Sequence, residues 1–451
     1  MTQPAPEPAG GTTAEALPPP AEAREELSRR RGLTGLGRLQ VTGIVFGLIG
    51  LATVLWVASA LPGEDVTLTF GLGDVAPSLR LDPPNAVRAI GVLLVLAGGV
   101  AVAERWTRRW AALALLVATI LVVPYVLIAG VALSGQSQTN LVPLFAEALR
   151  RGTPIALGAL AGLWCERSGV VNIGIEGMML AGAGVGFVAY ALWGAGGGLA
   201  LVAAVLVAVA VGGLLSVIHA VVSISFRTDQ IVSGVAINLL AIGLTAFLRR
   251  QVLLPLGIGS AVTLPQISLP VLSDLPLIGP LFVGKPIYFS MFVLFLLTSF
   301  VMFRTPWGLR VRAVGEQPHA AETLGVDVIR IRYQAVILGG LAAGLGGAWF
   351  SLETVGSFDD LMTNGTGFIA LAALIFGKWR PWGAFGGAML FGFSDALGTR
   401  LQLLGVEVAG YPVPSQFLQM LPYVVTIIVL AGAIGRAVPP AADGQPYERS
   451  R

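Results

Sequence analysis

The chain has 451 residues, 55% hydrophobic and 12% charged, about half the charged share of an average soluble domain, which excludes a soluble fold for most of its length. The net charge is only +3, and the Arg residues sit in short hinges rather than on one basic face, so nucleic acid is excluded as a partner. A single cysteine, Cys165, rules out an internal disulfide, and His219 and His319 are too far apart for metal-ligand spacing.

In chain order, residues 1–38 are rich in Pro, Ala and Glu, lack apolar periodicity and end in a cluster of Arg29, Arg30, Arg31 and Arg38. They predict a disordered cytoplasmic tail rather than a signal peptide, because the first apolar run begins only near Val41. Apolar runs follow at 41–61, 89–103, 111–135, 152–165, 178–193, 199–225, 231–248, 287–303, 334–352, 367–377, 384–397 and 416–435. Residues 136–151 form an outside segment that includes a candidate interfacial helix. The Pro-rich stretch 249–286 reads as an extracytoplasmic loop, and the basic hinges 104–110, 304–332 and 378–383 as inside segments. The second, fourth, tenth and eleventh runs fall short of the ~20 residues that cross a bilayer core, as half-helices inside a transporter do. The fold class is an all-α integral membrane protein of about 10–12 transmembrane helices, some short or broken, with the membrane domain over 39–435 and a tail at 436–451. Both termini are expected in the cytoplasm.

The inside segment 304–332 carries Arg304, Arg310, Arg312, Arg330 and Arg332. Pro318 stands where a first helical residue tolerates proline, and Gly325 where a C-terminal cap needs glycine. Ala320, Ala321 and Leu324 then share one face of a short helix, suited to pressing on another protein.

Polar residues inside the apolar runs mark candidate sites for a solute. GVVNIGIEG at 169–177 breaks a hydrophobic region with Asn172 and Glu176. Two readings stay open: a pathway lining at a helix break, or caps on neighbouring helices. Asn238 lies in the middle of the seventh run, facing a cavity or bonding helices together. Trp349 and Phe350, beside Glu353, form an interfacial aromatic pair or a stacking platform. Asp395 faces either a cavity or outside water. GPLFVGKP at 279–286 approaches a phosphate-binding loop but lacks the final Ser or Thr and follows no strand. No catalytic set stands out, and no metal site.

Four stretches carry a family resemblance: ERSGVVNIGIEGMMLAGA at 166–183, TDQIVSGVAINLLAIGLT at 228–245, LRVRAVGEQPHAAETLGVDV at 309–328, and GFIALAALIFGKWRPWGAFGGAMLFG at 367–392. They resemble the permease subunit of bacterial ABC importers, in the nucleoside and simple-sugar branch of the ribose and branched-chain amino acid permeases. The resemblance spans roughly 145–435, and the spans before it resemble the longer of two paired permeases. It implies an importer of nucleosides or simple sugars built from two permeases, here a heterodimer. It also implies an extracytoplasmic solute-binding protein and a separate ATPase with tandem nucleotide-binding halves. ATP would be used by that ATPase, with no cofactor on this chain. The 304–332 segment would then be the coupling element, with Arg312, Gly315, Glu316, His319, Ala320, Ala321 and Gly325 facing the ATPase. The family often has Glu directly before the paired alanines, where this chain has His319. The alternative function is an ion-coupled secondary transporter, for which Glu176 and Asp395 are the candidate carboxylates.

Overall fold

The computed structural model describes residues 37–71, 77–103, 108–194, 196–257, 261–275, 278–408, 411–428 and 437–449. The predicted N-terminal tail (but for its last two residues), most of the 104–110 hinge and the end of the twelfth run lie outside them. Among the described residues, eight helices are long and apolar enough to cross a membrane. They are α1 (Leu39–Ala60), α2 (Pro83–Val102), α3 (Arg109–Leu133), α5 (Ile175–Leu192), α6 (Gly197–Ser225), α7 (Gln230–Leu256), α8 (Pro286–Arg304) and α11 (Val328–Val355). Two further long helices, α4 (Leu141–Arg167) and α13 (Pro381–Leu404), pack within the same bundle. The short helices are α9 (Pro306–Glu316), α10 (Pro318–Thr323), α12 (Thr366–Phe376), α14 (Ser415–Gln419) and α15 (Leu421–Ile428). The chain is a multi-pass, all-α membrane protein.

Three of the runs expected to be too short are full-length helices. α2 starts at Pro83 because Asp82 caps it, accepting from the Asn85 amide at 3.1 Å, and the first turn has no use for the missing proline N–H. α4 is one helix of 27 residues, where the sequence suggested an outside segment followed by a short span. Its Glu147, Arg150 and Arg151 face polar partners without interrupting the helix. α13 likewise extends to 24 residues. α12, with 11 residues, remains the half-helix the sequence implied. The stretch 249–286 is helical up to Leu256 before it becomes a loop. The segment 304–332 is mostly helical, with α9 and α10 inside it.

α5 lies at the centre of the bundle, with 78% of its residues buried, against 22% to 39% along the most apolar stretches of α1, α2, α3, α6, α7 and α8. Those outer helices leave Leu, Val and Phe side chains facing outward, as lipid contact requires. α11 crosses α5 and α6 on a row of glycines. A Cβ on Gly347 would stand 2.0 Å from the Met179 carbonyl oxygen, and one on Gly344 would stand 2.3 Å from that of Ala208. Only glycine lets these backbones approach so closely, and dispersion contacts along the row replace the hydrophobic effect that lipid does not supply.

α1, α2 and α3 form a separate apolar cluster that joins the bundle through Leu397, Leu401 and Leu404 of α13. Beside it, β1 (Val66–Thr69) pairs antiparallel with β2 (Ser78–Leu81) and parallel with β3 (Gln138–Asn140), tying the α1–α2 connection to the start of α4. Asn140 closes this junction by capping α4 at the Val142 amide, 3.1 Å away.

Gly347→Leu is expected to destabilise the bundle by ~1–3 kcal/mol or block its assembly, since the side chain meets backbone that cannot move aside. Thermal unfolding in detergent checks this, with Gly243→Ala as the control that should leave stability unharmed, because Gly243 has open space in its Cβ direction.

Candidate functional site

Polar side chains gather at two ends of the bundle, joined by α4. Arg151 and Arg167 both lie on it, roughly 24 Å apart at 1.5 Å per residue. Around Arg151 is a cavity of about 990 Å³. Its walls come from α4 (Arg150, Arg151, Pro154), α11 (Trp349, Phe350, Glu353), the segment before α12 (Thr363, Asn364), α13 (Asp395, Thr399) and the loop before α8 (Lys285).

The charged groups in the cavity are already paired. Arg151 binds Glu147 and Asp395, each at 2.8 Å, and so links α4 to α13. Arg150 donates to the Val283 carbonyl at 2.8 Å. Glu353 accepts from the Ile287 and Tyr288 amides at 2.6 and 3.1 Å, a carboxylate placed on the positive end of α8. Lys285 donates to Thr263 and to the Glu353 carbonyl at 2.7 and 2.5 Å; burial lowers its pKa, and the Glu353 charge opposes that shift. Trp349 and Phe350 meet edge to face, 5.1 Å between ring centres, at the start of the π-helical segment Trp349–Val355 that ends α11. The wider π turn alters which side chains α11 turns inward, a device common at functional sites.

The sequence candidates divide into three groups. Trp349, Phe350 and Asp395 line the cavity. Glu176 stands one layer behind it. Its carboxylate accepts from the Thr363 hydroxyl at 2.6 Å and from the Gly365 and Gly367 amides at 2.8 and 2.6 Å. It therefore holds the broken chain before α12, while Thr363 and Asn364 form the wall. Asn172 and Asn238 do not reach the cavity. Asn238 accepts from the Gly177 amide at 2.7 Å and donates to the Ile173 carbonyl at 3.1 Å, fastening α7 to the α4–α5 break. Asn172 is fully buried, and its amide points toward the sulfurs of Cys165 and Met178. These two are structural because the break at 169–174 closes on itself and on α7, away from the space between α4, α11 and α13. Sequence reasoning passed over Arg150, Arg151 and Lys285, and read Asn364 only as a cap on the tenth run. The signal available for the first pair was two arginines inside an otherwise apolar helix, which must face protein or water.

At the other end of α4, Glu166 accepts from the Trp379 indole at 2.5 Å, and Arg167 donates to the Trp379 carbonyl at 2.8 Å. Arg167 also approaches Glu316 at 3.7 Å. A Cβ on Gly315 would stand 2.3 Å from the Arg167 carbonyl oxygen, so α9 seats directly on the end of α4. Arg312 stacks over the Phe303 ring at 5.0 Å. α10 has the ends the sequence implied, with Pro318 in its first turn and Gly325 at φ +80°. Its face differs from the expectation. Ala321 is turned inward, 3% exposed, against Val314, Val328 and Ile331, while Ala320, His319 and Leu324 point outward. Leu324 is 84% exposed, a large apolar side chain left open beside α10.

A bundle of apolar helices that holds a polar cavity at one end and a short projecting helix at the other is the build of a membrane permease. Residues 144–430 match the family described as branched-chain amino acid transport system / permease component, and the chain belongs to that family. It is 43% identical over 305 residues to the guanosine ABC transporter permease protein NupQ of Bacillus subtilis, covering 66% of this chain and 94% of that one. It is 40% identical over 313 residues to the nucleoside ABC transporter permease protein NupC of Lactococcus lactis, covering 68% and 97%. A putative glucose ABC transporter permease protein of Haloferax volcanii is 36% identical over 328 residues, covering 67% and 96%. No solved structure gives a significant match. α1, α2 and α3 precede residue 144 and lie outside the family match.

Glu176→Gln keeps the shape but places an NH₂ group against donors. It is expected to lose at least one charge-assisted bond and ~1.5–3 kcal/mol of stability, with a fall in solute binding because Thr363 and Asn364 lose their support. Thermal unfolding and equilibrium solute binding on the same purified variant test both parts.

Proposed function

We propose that this chain is one of two permease subunits of an ATP-driven importer for nucleosides, that the cavity is its solute site, and that α10 couples it to a separate ATPase. The observation that carries this reading is the cavity itself. An aromatic pair, Trp349 and Phe350, stands beside hydroxyl and amide groups of Thr363 and Asn364 in a space of about 990 Å³, at the upper end of the usual range for small-molecule sites. A base has a flat face to stack on these rings, and a ribose has hydroxyls for the polar wall. The relatives named for guanosine and nucleoside transport support the same solute class. A simple sugar is the second reading, favoured by the polar wall and by the relative named for glucose.

An ATP-driven mechanism accounts for the carboxylates better than an ion-coupled one. Among the described residues that line the cavity, Glu147 and Asp395 are paired with Arg151, and Glu353 is taken by two backbone amides. An ion-coupled carrier needs a carboxylate free to exchange a proton or cation. Solute would arrive on an extracytoplasmic binding protein, and a second, non-identical permease would complete the pathway. The ATPase, with tandem nucleotide-binding halves, would use the ATP; this chain binds no cofactor. The positive-inside rule, applied to the basic segments 304–332 and 378–383, supports a cytoplasmic α10, with both termini on that side. Arg312, Gly315, Glu316, His319, Ala320, Ala321 and Gly325 form or support the coupling unit. ATP binding would displace α10, and α4 and α11 would carry that displacement to the cavity as a rigid-body rotation.

The test is uptake of labelled guanosine and glucose by vesicles holding this chain, its paired permease, the ATPase and the binding protein. Nucleoside uptake that requires an active ATPase is expected. Uptake that follows an ion gradient without the ATPase would overturn the reading. Within the same assay, Trp349→Ala is expected to weaken nucleoside affinity ~10- to 100-fold by removing the stacking face, with ATP hydrolysis retained.

A further inference from the structure

Residues 437–449 fall in the stretch that the sequence marks only as a tail, and they include Pro439, Pro440 and Pro446. In the structure they lie as a strap across the end of the bundle that carries α10. The Ala442 amide donates to the Gly315 carbonyl at 2.9 Å, and the Ala441 amide to Glu316 at 3.3 Å, so the strap begins on α9. It continues past the α4–α5 break, where a Cβ on Gly169 would stand 3.0 Å from the Ala442 carbonyl oxygen. The Gln445 carbonyl then accepts from Arg332 of α11 at 3.1 Å. Glu448 pairs with Arg227 in the α6–α7 turn at 2.7 Å, and Arg449 with Glu322 of α10 at 3.4 Å.

The anchor is Tyr447. It is 7% exposed and sits in the cluster of Trp164, Met302, Val311, Val314, Ala321, Val328, Ile331 and Ala335, which is the packing beneath α10. Its ring lies 5.3 Å from His319 and 5.9 Å from the Arg332 guanidinium. Arg332 is 1% exposed, and its guanidinium donates to the strap. Asp443 is inserted near Glu166 and Cys165 of α4 and Arg332 of α11; burial holds its carboxyl above the usual range, while Arg332 and the Gly444 amide pull it down. A segment that only trailed from the last helix would have no reason to bury a tyrosine.

We propose that the strap is a working part of the coupling unit, with Tyr447 as its positioning residue: it clamps α10 to α4, α11 and the α6–α7 turn so that these elements move together. This rests on the reading of α10 as the coupling helix. Its physical basis is rigidity. α10 has only 6 residues, too short to hold its own shape in water, and Ala321 alone gives it little apolar surface to bury. Tyr447 supplies a large rigid contact under Ala321, and the ion pairs to Glu322 and Arg227 fix the ends. Without the clamp, α10 would follow the ATPase while the bundle lagged behind it.

The experiment measures ATP hydrolysed per solute imported, in vesicles of the complete transporter. It compares Tyr447→Ala, Tyr447→Phe, deletion of 437–451, and Gly325→Trp as the reference for α10 itself. Tyr447→Ala and the deletion are expected to raise that ratio about 10-fold, in the range of ordinary coupling free energies. Tyr447→Phe should stay within about 2-fold of the unaltered chain, because it keeps the ring. If Gly325→Trp raises the ratio and the strap variants do not, the strap proposal fails and the coupling reading stands. If none of them raises it, both fail. Should the alanine variant or the deletion not assemble, hydrogen exchange on the unaltered transporter decides. Amides of 441–447 are expected to change protection together with those of 318–324 between the nucleotide-free and ATP-trapped states, and independent change overturns the proposal.

Discussion

The carboxylate of Glu176 is the contact on which the rest of the architecture rests. The chain arrives at α12 in a non-helical conformation, with Gly356 and Gly365 both at positive φ, and so it brings unpaired backbone N–H groups into an apolar bundle. Each such group left unsatisfied away from water costs several kcal/mol at membrane depth. Glu176, in the first turn of α5, meets two of these amides and the Thr363 hydroxyl at once. That lets α12 be a half-helix, and a half-helix opens the space in which Thr363 and Asn364 form a polar wall. A continuous helix here would have filled the cavity.

The second constraint is that the two ends of the bundle share their helices. α4 carries Arg151 at the cavity and Arg167 against α9. α11 carries Arg332 beneath the strap and Trp349 at the cavity. α11 meets its neighbours at close range, with Gly347 against Met179 and Gly339 against Cys165 and Ala161 of α4. Close-packed interfaces of this kind shift between discrete arrangements rather than flexing. A push on α9 and α10 therefore has a short mechanical route to the residues around the cavity, through parts that are stiff along their length.

Much of this was legible in the sequence, where local chemistry decides the outcome. The long apolar runs gave the helices, and Pro318 with Gly325 gave the ends of α10, because proline and glycine act on the residue they occupy. The failures share one cause, which is that a side chain's partner lies far along the chain. The first part of α4 was read as an outside segment because Val283 and Asp395, which satisfy Arg150 and Arg151, are more than a hundred residues away. For Asn172 and Asn238 the choice between a solute contact and a helix-bonding role stayed open, because the sequence does not say which side of a helix break closes. Ala321 seemed to face a partner protein because the cluster that buries it draws on residues far along the chain, Tyr447 beyond the last apolar run among them. Trp349, Phe350 and Asp395 line the cavity, one of the two placements the sequence left open for each, because aromatic and acidic residues near helix ends keep their polarity and bulk wherever the bundle turns them.

The central claim is that the cavity beside Asn364 is a solute site open on the side away from α10. The chain carries one cysteine, Cys165, and it is buried, so a cysteine introduced at Asn364 can be read almost alone. The measurement is labelling of Asn364→Cys by a membrane-impermeant maleimide, applied from either side of oriented vesicles, with and without guanosine. Labelling from the extracytoplasmic side that guanosine suppresses is the predicted result. Labelling only from the cytoplasmic side, or labelling that saturating solute leaves unchanged, would contradict the account.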